Sequence, residues 1–166
     1  MNAKLKTLPE LQLIVTQARR EGRTVVFANG CFDLIHVGHV RYLDAARKLG
    51  DLLIVAVNSD SSVRGLKGPL RPLLGQEDRA ELLAAREMGD YIIIFDEPDV
   101  RRLLRELQPH IQAKGTDYTE QTVPERDVVH TYGGLVRIAG DPKDHSTCDL
   151  IARIRQLQSA GQDGPR

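Results

Sequence analysis

The chain has 166 residues, 41% of them hydrophobic and 28% charged, proportions that suit a globular domain with one real core and leave too little length for two of ordinary size. Lys plus Arg and Asp plus Glu both number 23, which excludes an overall basic field for nucleic acid and requires any phosphate-binding charge to be local. The two cysteines, Cys31 and Cys148, exclude a disulfide framework or a zinc cluster; with no secretory leader and no apolar run of about eighteen residues, a reducing cytoplasm and no membrane partner are expected.

Thr7-Leu8-Pro9-Glu10 has the spacing of a capping box, and Leu8, Leu11, Ile14, Val15 and Ala18 recur at helical intervals until Gly22. Residues 1–22 therefore read as a leading helix packed on a domain spanning 23–158. Next comes Val25 to His39, VVFANGCFDLIHVGH, a buried strand that passes through a turn at Asn29-Gly30 and reaches two histidines where a helix should begin. The unpaired N–H groups and positive dipole end of such a helix make an anion site. His36 and His39, at i and i+3, share a face across the mouth of the loop, and Gly38 between them lets backbone approach a ligand. Two readings stand: imidazole donors placed where charge develops in phosphoryl transfer, or a pair that caps the helix or binds a metal.

The spacing predicts a helix over Val37–Leu49, ended by Gly50, and a doubly buried strand over Asp51–Val57; the resulting βαβ unit should be right-handed. Asn58-Ser59-Asp60 then lies at a strand's carboxyl end, where open α/β sheets bind ligands. From Arg64 to Pro72 the breakers Gly65, Gly68, Pro69 and Pro72 predict a basic loop without regular structure, either a solvated loop or a lid that carries Lys67 to phosphate. Gln76–Met88 reads as a helix with Ala80, Leu83 and Ala84 inward, and Arg79 on it as a solvated partner for Asp78 or Glu81. Tyr91–Phe95 is a strand, and Asp99–Leu107 a short helix stopped by Pro109. Ile111–Ala113 is a brief strand opening into Lys114-Gly-Thr-Asp117-Tyr118, which suits a base, ribose or sugar hydroxyls, or forms a turn through Gly115 and Asp117. A helix over Pro124–Tyr132 and a strand over Leu135–Ile138 follow. Ser146 or Thr147 N-caps a helix over Asp149–Leu157, and 159–166 reads as a disordered polar tail. The alternation predicts an α/β fold, one doubly wound Rossmann-like open sheet of about five parallel strands.

NGCFD followed by HVGH resembles the (H/T)xGH signature of the cytidylyltransferase-like nucleotidylyltransferases. The ordered series VVFANGCFDLIHVGHVRYLDAARKLGD, VNSDSSVRGLKGPLRP, EDRAELLAA, KGTDYTEQTVPERDVV, YGG and HSTCDLIARIR resembles the adenylyltransferase half of the heptose phosphate enzymes across about residues 22 to 155. That resemblance implies transfer of AMP from ATP to D-glycero-β-D-manno-heptose 1-phosphate, releasing pyrophosphate without a covalent intermediate, for ADP-heptose and lipopolysaccharide synthesis. By it, His36 and His39 donate to the α-phosphoryl oxygens and Lys67 neutralises developing charge. Asn29, Gly30, Cys31, Phe32 and Gly38, with Ser146 and Thr147, bind the nucleotide and its phosphates. Asp33, Asp60, Arg64, Arg79, Lys114, Asp117 and Tyr118 serve substrate or nucleotide recognition. The family's basic-Ser-Thr-Thr run is here His145-Ser146-Thr147-Cys148, with Lys143 nearby as a source of charge, and Thr116 stands for a family glycine. The resemblance also implies ATP and a sugar 1-phosphate as partners, a homo-oligomer, and similarity to stand-alone members that lack a preceding kinase domain. Mg²⁺ is expected with ATP; no protein metal ligand is assigned, with Asp33 the candidate.

Two rivals remain open: a cytidylyltransferase for glycerol 3-phosphate or a similar phosphorylated alcohol, and a nucleotide-binding sensor without turnover. The absence of G-x-G-x-x-G after a strand argues against a nicotinamide-dependent dehydrogenase.

Overall fold

A computed structural model describes residues 3–85, 89–142 and 147–162. Five parallel strands form its sheet: β1 (Val25–Gly30), β2 (Leu52–Asn58), β3 (Tyr91–Phe95), β4 (Ile111–Lys114) and β5 (Leu135–Ile138), in the order β3-β2-β1-β4-β5. Helices intervene: α1 (Leu8–Arg20), α2 (Val37–Arg47), α3 (Asp60–Lys67), α4 (Gln76–Ala84), α5 (Arg101–Leu107), α6 (Arg126–Thr131) and α7 (Thr147–Gln162). The expected doubly wound α/β sheet is what the chain forms. Strand order reverses beside β1, which opens a crevice at the carboxyl ends of the strands.

The two-residue period of the strands builds two cores. Val25, Phe27, Leu52, Ile54 and Ala56 face Leu11 and Val15 of α1, Leu103, Leu104 and Leu107 of α5, and Val128 and Val129 of α6. Val26, Ala28, Leu53, Val55 and Val57 face Leu43 and Ala46 of α2 and Ala80 and Leu83 of α4. Every residue of β2 is buried, as its unbroken apolar run required. The capping box of α1 forms, the Thr7 backbone N–H donating to Glu10 Oε2 at 2.7 Å. The residues ahead of α1 run alongside β3, where Lys6 N–H donates to Ile92 O and Ile92 N–H to Lys4 O.

Several expectations are corrected. The stretch expected to be an irregular basic loop is helical up to Lys67, because Ser59 caps α3 by accepting from Ser62 N–H, Val63 buries, and a side chain at Gly65 would meet no neighbour. Gly68, at φ +97°, ends that helix, so only the residues after it are loop. Asn29-Gly30 is no turn; both residues stay in β1 in register with Ala56 and Val57 of β2. The last helix continues through 159–162 rather than releasing a tail there, and 163–166 lie outside the described residues.

Candidate active site

The crevice holds a cleft of about 700 Å³. Its floor is the end of β1 and the turn from Cys31 to His36. That turn is tight enough to put two non-glycine residues, Phe32 and Leu34, in the left-handed region at φ +50° each, and Phe32 is buried in the core beneath it. Such backbone strain persists only where the surroundings enforce it. Sequence pattern gave no sign of it.

His36 is the N-cap of α2, and its Nδ1 accepts from Gly38 N–H at 3.2 Å. His39 reaches back, its Nδ1 accepting from His36 N–H at 3.3 Å, so the two rings form a capping box of imidazoles. Their centroids are 3.8 Å apart, and His39 meets the Phe32 ring edge-on at 5.4 Å. A neutral ring that accepts at Nδ1 carries its proton at Nε2, so the cap sets the tautomer of both histidines. Both line the cleft. The two readings of this pair are therefore compatible: the histidines cap the helix through Nδ1 and both line the cleft. The Gly38 amide, which also lines the cleft, is engaged by His36.

Lys67, the exposed last residue of α3, lines the same cleft and has no ion-pair partner among the described residues. Asn29, Gly30, Cys31 and Phe32 line it from the floor, and the Asn29 Oδ1 is a buried acceptor without a partner among the described residues. Burial pushes the Cys31 thiol above its ordinary pKa, with Lys67 and Arg79 opposing, so it stays protonated at neutral pH and is a poor nucleophile.

Asp33 is only 2% exposed. Its carboxylate pairs with Arg71 Nε at 2.7 Å and accepts from Leu73 N–H at 3.0 Å and Leu74 N–H at 3.1 Å, while its carbonyl accepts from Thr147 Oγ1 at 2.8 Å. With those oxygens engaged, Asp33 does not fit as a metal ligand, and among the described residues no group of three or more His, Cys, Asp or Glu forms a metal site.

Over β4 and β5 the wall is Lys114, Asp117 and Tyr118, with Thr147 at the start of α7. Lys114 is not an unpaired cation: its Nζ sits 3.2 Å from Glu125 Oε2, both side chains almost fully buried, and 5.4 Å from the Tyr118 ring centroid. Glu125 was absent from the sequence-based candidates because nothing in its local pattern marks a partner brought over by folding. Thr116, which replaces a family glycine, donates through Oγ1 to Asp141 O at 2.8 Å and ties the loops after β4 and β5 together. Tyr42 donates to Ala113 O at 2.9 Å, and burial raises its phenol well above the usual range.

Three candidates do not line the cleft: Asp60, Arg64 and Arg79. The solvated reading of Arg79 is corrected, since it is fully buried. Its Nε donates to Leu74 O at 3.0 Å, Nη1 to Cys31 O at 2.5 Å and Asn58 O at 2.8 Å, and Nη2 pairs with Asp60 at 2.8 Å. The guanidinium thus fastens three cleft-forming segments from behind, a task for its rigid fork of five donors. Arg64 is exposed on α3. Ser146, His145 and Lys143 lie outside the described residues.

The chain is 48% identical over 160 residues to the bifunctional protein HldE of Syntrophotalea carbinolica, covering 96% of this chain and 33% of that protein. It is 49% identical over 154 residues to the HldE of Geotalea uraniireducens, covering 93% and 31%. The chain spans about a third of the length of these curated relatives. Among solved structures it is similar to the lipopolysaccharide core biosynthesis protein of Thermoplasma volcanium, with a TM-score of 0.59 and 32% identity over 70% of this chain and 94% of that one. The cytidylyltransferase-like family matches residues 27–160, which include the histidine turn, Lys67 and the start of α7, and the chain belongs to that family.

Proposed function

We propose that this protein transfers AMP from ATP to D-glycero-β-D-manno-heptose 1-phosphate, giving ADP-heptose and pyrophosphate. The observation that carries the reading is the imidazole capping box: two histidine rings, held through Nδ1 by backbone N–H groups at the start of α2, line a cleft that also holds Lys67. Such a set suits charge that develops on a phosphoryl group in flight. The choice of sugar is supported by the ordered run of motifs and by the likeness to the HldE proteins and the lipopolysaccharide core biosynthesis protein.

In the proposed reaction an oxygen of the sugar phosphate attacks the α-phosphorus of ATP in line. The bond from that phosphorus to the bridging oxygen breaks, and pyrophosphate leaves with its electron pair. His36 and His39 donate hydrogen bonds to the non-bridging α-oxygens, and Lys67 offsets charge on the departing group. No protein nucleophile is needed, in keeping with a protonated Cys31. Mg²⁺ enters as part of the substrate, on the phosphates of ATP. Catalysis is then positioning and electrostatics. Lys114, Asp117 and Tyr118 bound the other side of the cleft and supply hydroxyl partners and a stacking face for nucleotide or sugar. No described helix is long and apolar enough to cross a membrane; a cytoplasmic homo-oligomer is the setting we propose.

Pyrophosphate release with Mg²⁺, crossing ATP and CTP against heptose 1-phosphate and glycerol 3-phosphate, tests this directly. Release with ATP and heptose 1-phosphate alone is expected. Release with CTP would keep the chemistry and overturn the substrate, and nucleotide binding without release in any pair would overturn catalysis.

A further inference from the structure

We infer that Asp33 is a positioning residue, a latch that holds the loop after Lys67 against the histidine turn and thereby sets the distance between Lys67 and the two imidazoles. It touches the cleft, yet its polar atoms are spent on the protein itself. The carboxylate is nearly inaccessible; it accepts hydrogen bonds from the Leu73 and Leu74 amides at 3.0 and 3.1 Å and forms an ion pair with Arg71 of the same loop at 2.7 Å. Its main chain lies in the turn between Phe32 and Leu34, the two residues held at positive φ. Side chain and backbone of one residue therefore join two segments about forty positions apart in sequence.

The geometry explains why a latch is needed there. The loop begins at Gly68, in a conformation that gives Lys67 no helical continuation to stiffen it, and Leu70 within it is 83% exposed. Charge-assisted bonds to a buried carboxylate are the strong kind, and the Leu73 and Leu74 amides make them six and seven residues past Lys67, with the Arg71 ion pair beside them. Arg79 braces the same joint from below, through Leu74 O and Cys31 O. The carbonyl of Asp33 also accepts from Thr147, so the start of α7 is referenced to the same point. A carboxylate beside a polyphosphate site would repel the substrate if left unpaired; latched, its charge is offset by Arg71.

The inference rests on the proposed function for its kinetic test and stands apart from it in a structural one. Asp33→Asn removes the ion pair and keeps the size of the side chain. With the pair of substrates the wild type turns over, kcat should fall on the order of 10²-fold with a much smaller change in KM, as for a misplacement of catalytic groups by about 1 Å. The Asp33→Asn, Lys67→Ala double variant should lose little more than Lys67→Ala alone, because Asp33 acts through Lys67. Full multiplication of the two losses would overturn the latch, as would wild-type kcat in Asp33→Asn. Independently of any turnover, limited trypsin cleavage after Lys67 should accelerate roughly tenfold in Asp33→Asn and in Arg71→Ala, as loop opening becomes more frequent. Arg71→Ala, whose side chain is partly accessible, covers the case in which Asp33→Asn fails to fold. Unchanged cleavage in a folded variant would refute the latch even if the protein proved to act on another substrate. A wild type that released no pyrophosphate but showed the accelerated cleavage would refute the function and keep the latch.

Discussion

Replacing His39 by Asn separates the two duties of its ring. The Nδ1 duty is structural: it accepts from His36 N–H at 3.3 Å and so closes the cap of α2. The side-chain oxygen of Asn can take that place, so the stability loss should stay near the aromatic contact with Phe32 and His36, about 0.5–1.5 kcal/mol. The Nε2 duty has no counterpart in Asn. Loss of one donor to a developing oxyanion costs about 10²–10³ in kcat, about 2.7–4 kcal/mol, with KM little changed. His39→Gln should behave in the opposite sense, its amide reaching toward the Nε2 position while the cap is lost at about 1 kcal/mol. Steady-state pyrophosphate release and thermal melting, run on both variants, read the two duties separately. An Asn variant that turns over like wild type would refute the proposal that the Nε2 edge of His39 acts on the phosphoryl group.

Lys67→Ala should lower kcat by about 10²-fold while leaving the melting temperature within error, because the side chain is exposed and unpaired among the described residues; equal losses of stability and rate would argue for a structural lysine. Arg79→Leu should destabilise by about 3–5 kcal/mol in denaturant titration, since it leaves Asp60 without its ion pair and the carbonyls of Cys31, Asn58 and Leu74 without their donor. A stable variant that merely bound substrate more weakly would return Arg79 to a recognition role. His110 accepts from Val25 N–H through Nδ1 at 2.9 Å, and burial, helped by Arg19, depresses its pKa below the ordinary 6.5. The unfolded chain therefore binds its proton more readily than the folded one, so this bond contributes fully above about pH 6.5 and is lost as pH falls through the depressed folded value. Melting curves between pH 7.5 and about 5 should show a shallower acid decline in His110→Gln than in wild type; parallel curves would remove His110 from the pH response.

The fold was legible wherever a local period carried the message. The unbroken apolar run of β2 could only be a strand buried on both faces, and Thr7 to Glu10 wrote out a helix start that the structure reproduces. The histidine turn was also legible, because i and i+3 on a nascent helix must share a face whatever surrounds them. Breakers misled where tertiary contacts outweighed them: Gly65 sits on the open side of α3, where the missing side chain costs only backbone entropy, while Ser59 and Val63 supply the cap and the buried face.

What the sequence determined by itself, then, was the alternation of β and α, the parallel sheet and the segments that meet at its carboxyl edge, since these follow from side-chain period and chain direction. Only the tertiary structure decided the state of each charged group. Arg79 and Lys114 look alike to sequence as basic residues near the edge, yet one is sealed against three carbonyls and the other is neutralised by Glu125. Asp33, a candidate ligand by its position in the turn, is bound to Arg71 and two amides from a loop far along the chain. Partners of that kind are set by which segments the sheet order brings side by side, and β1 pairs with β4 across some eighty intervening residues.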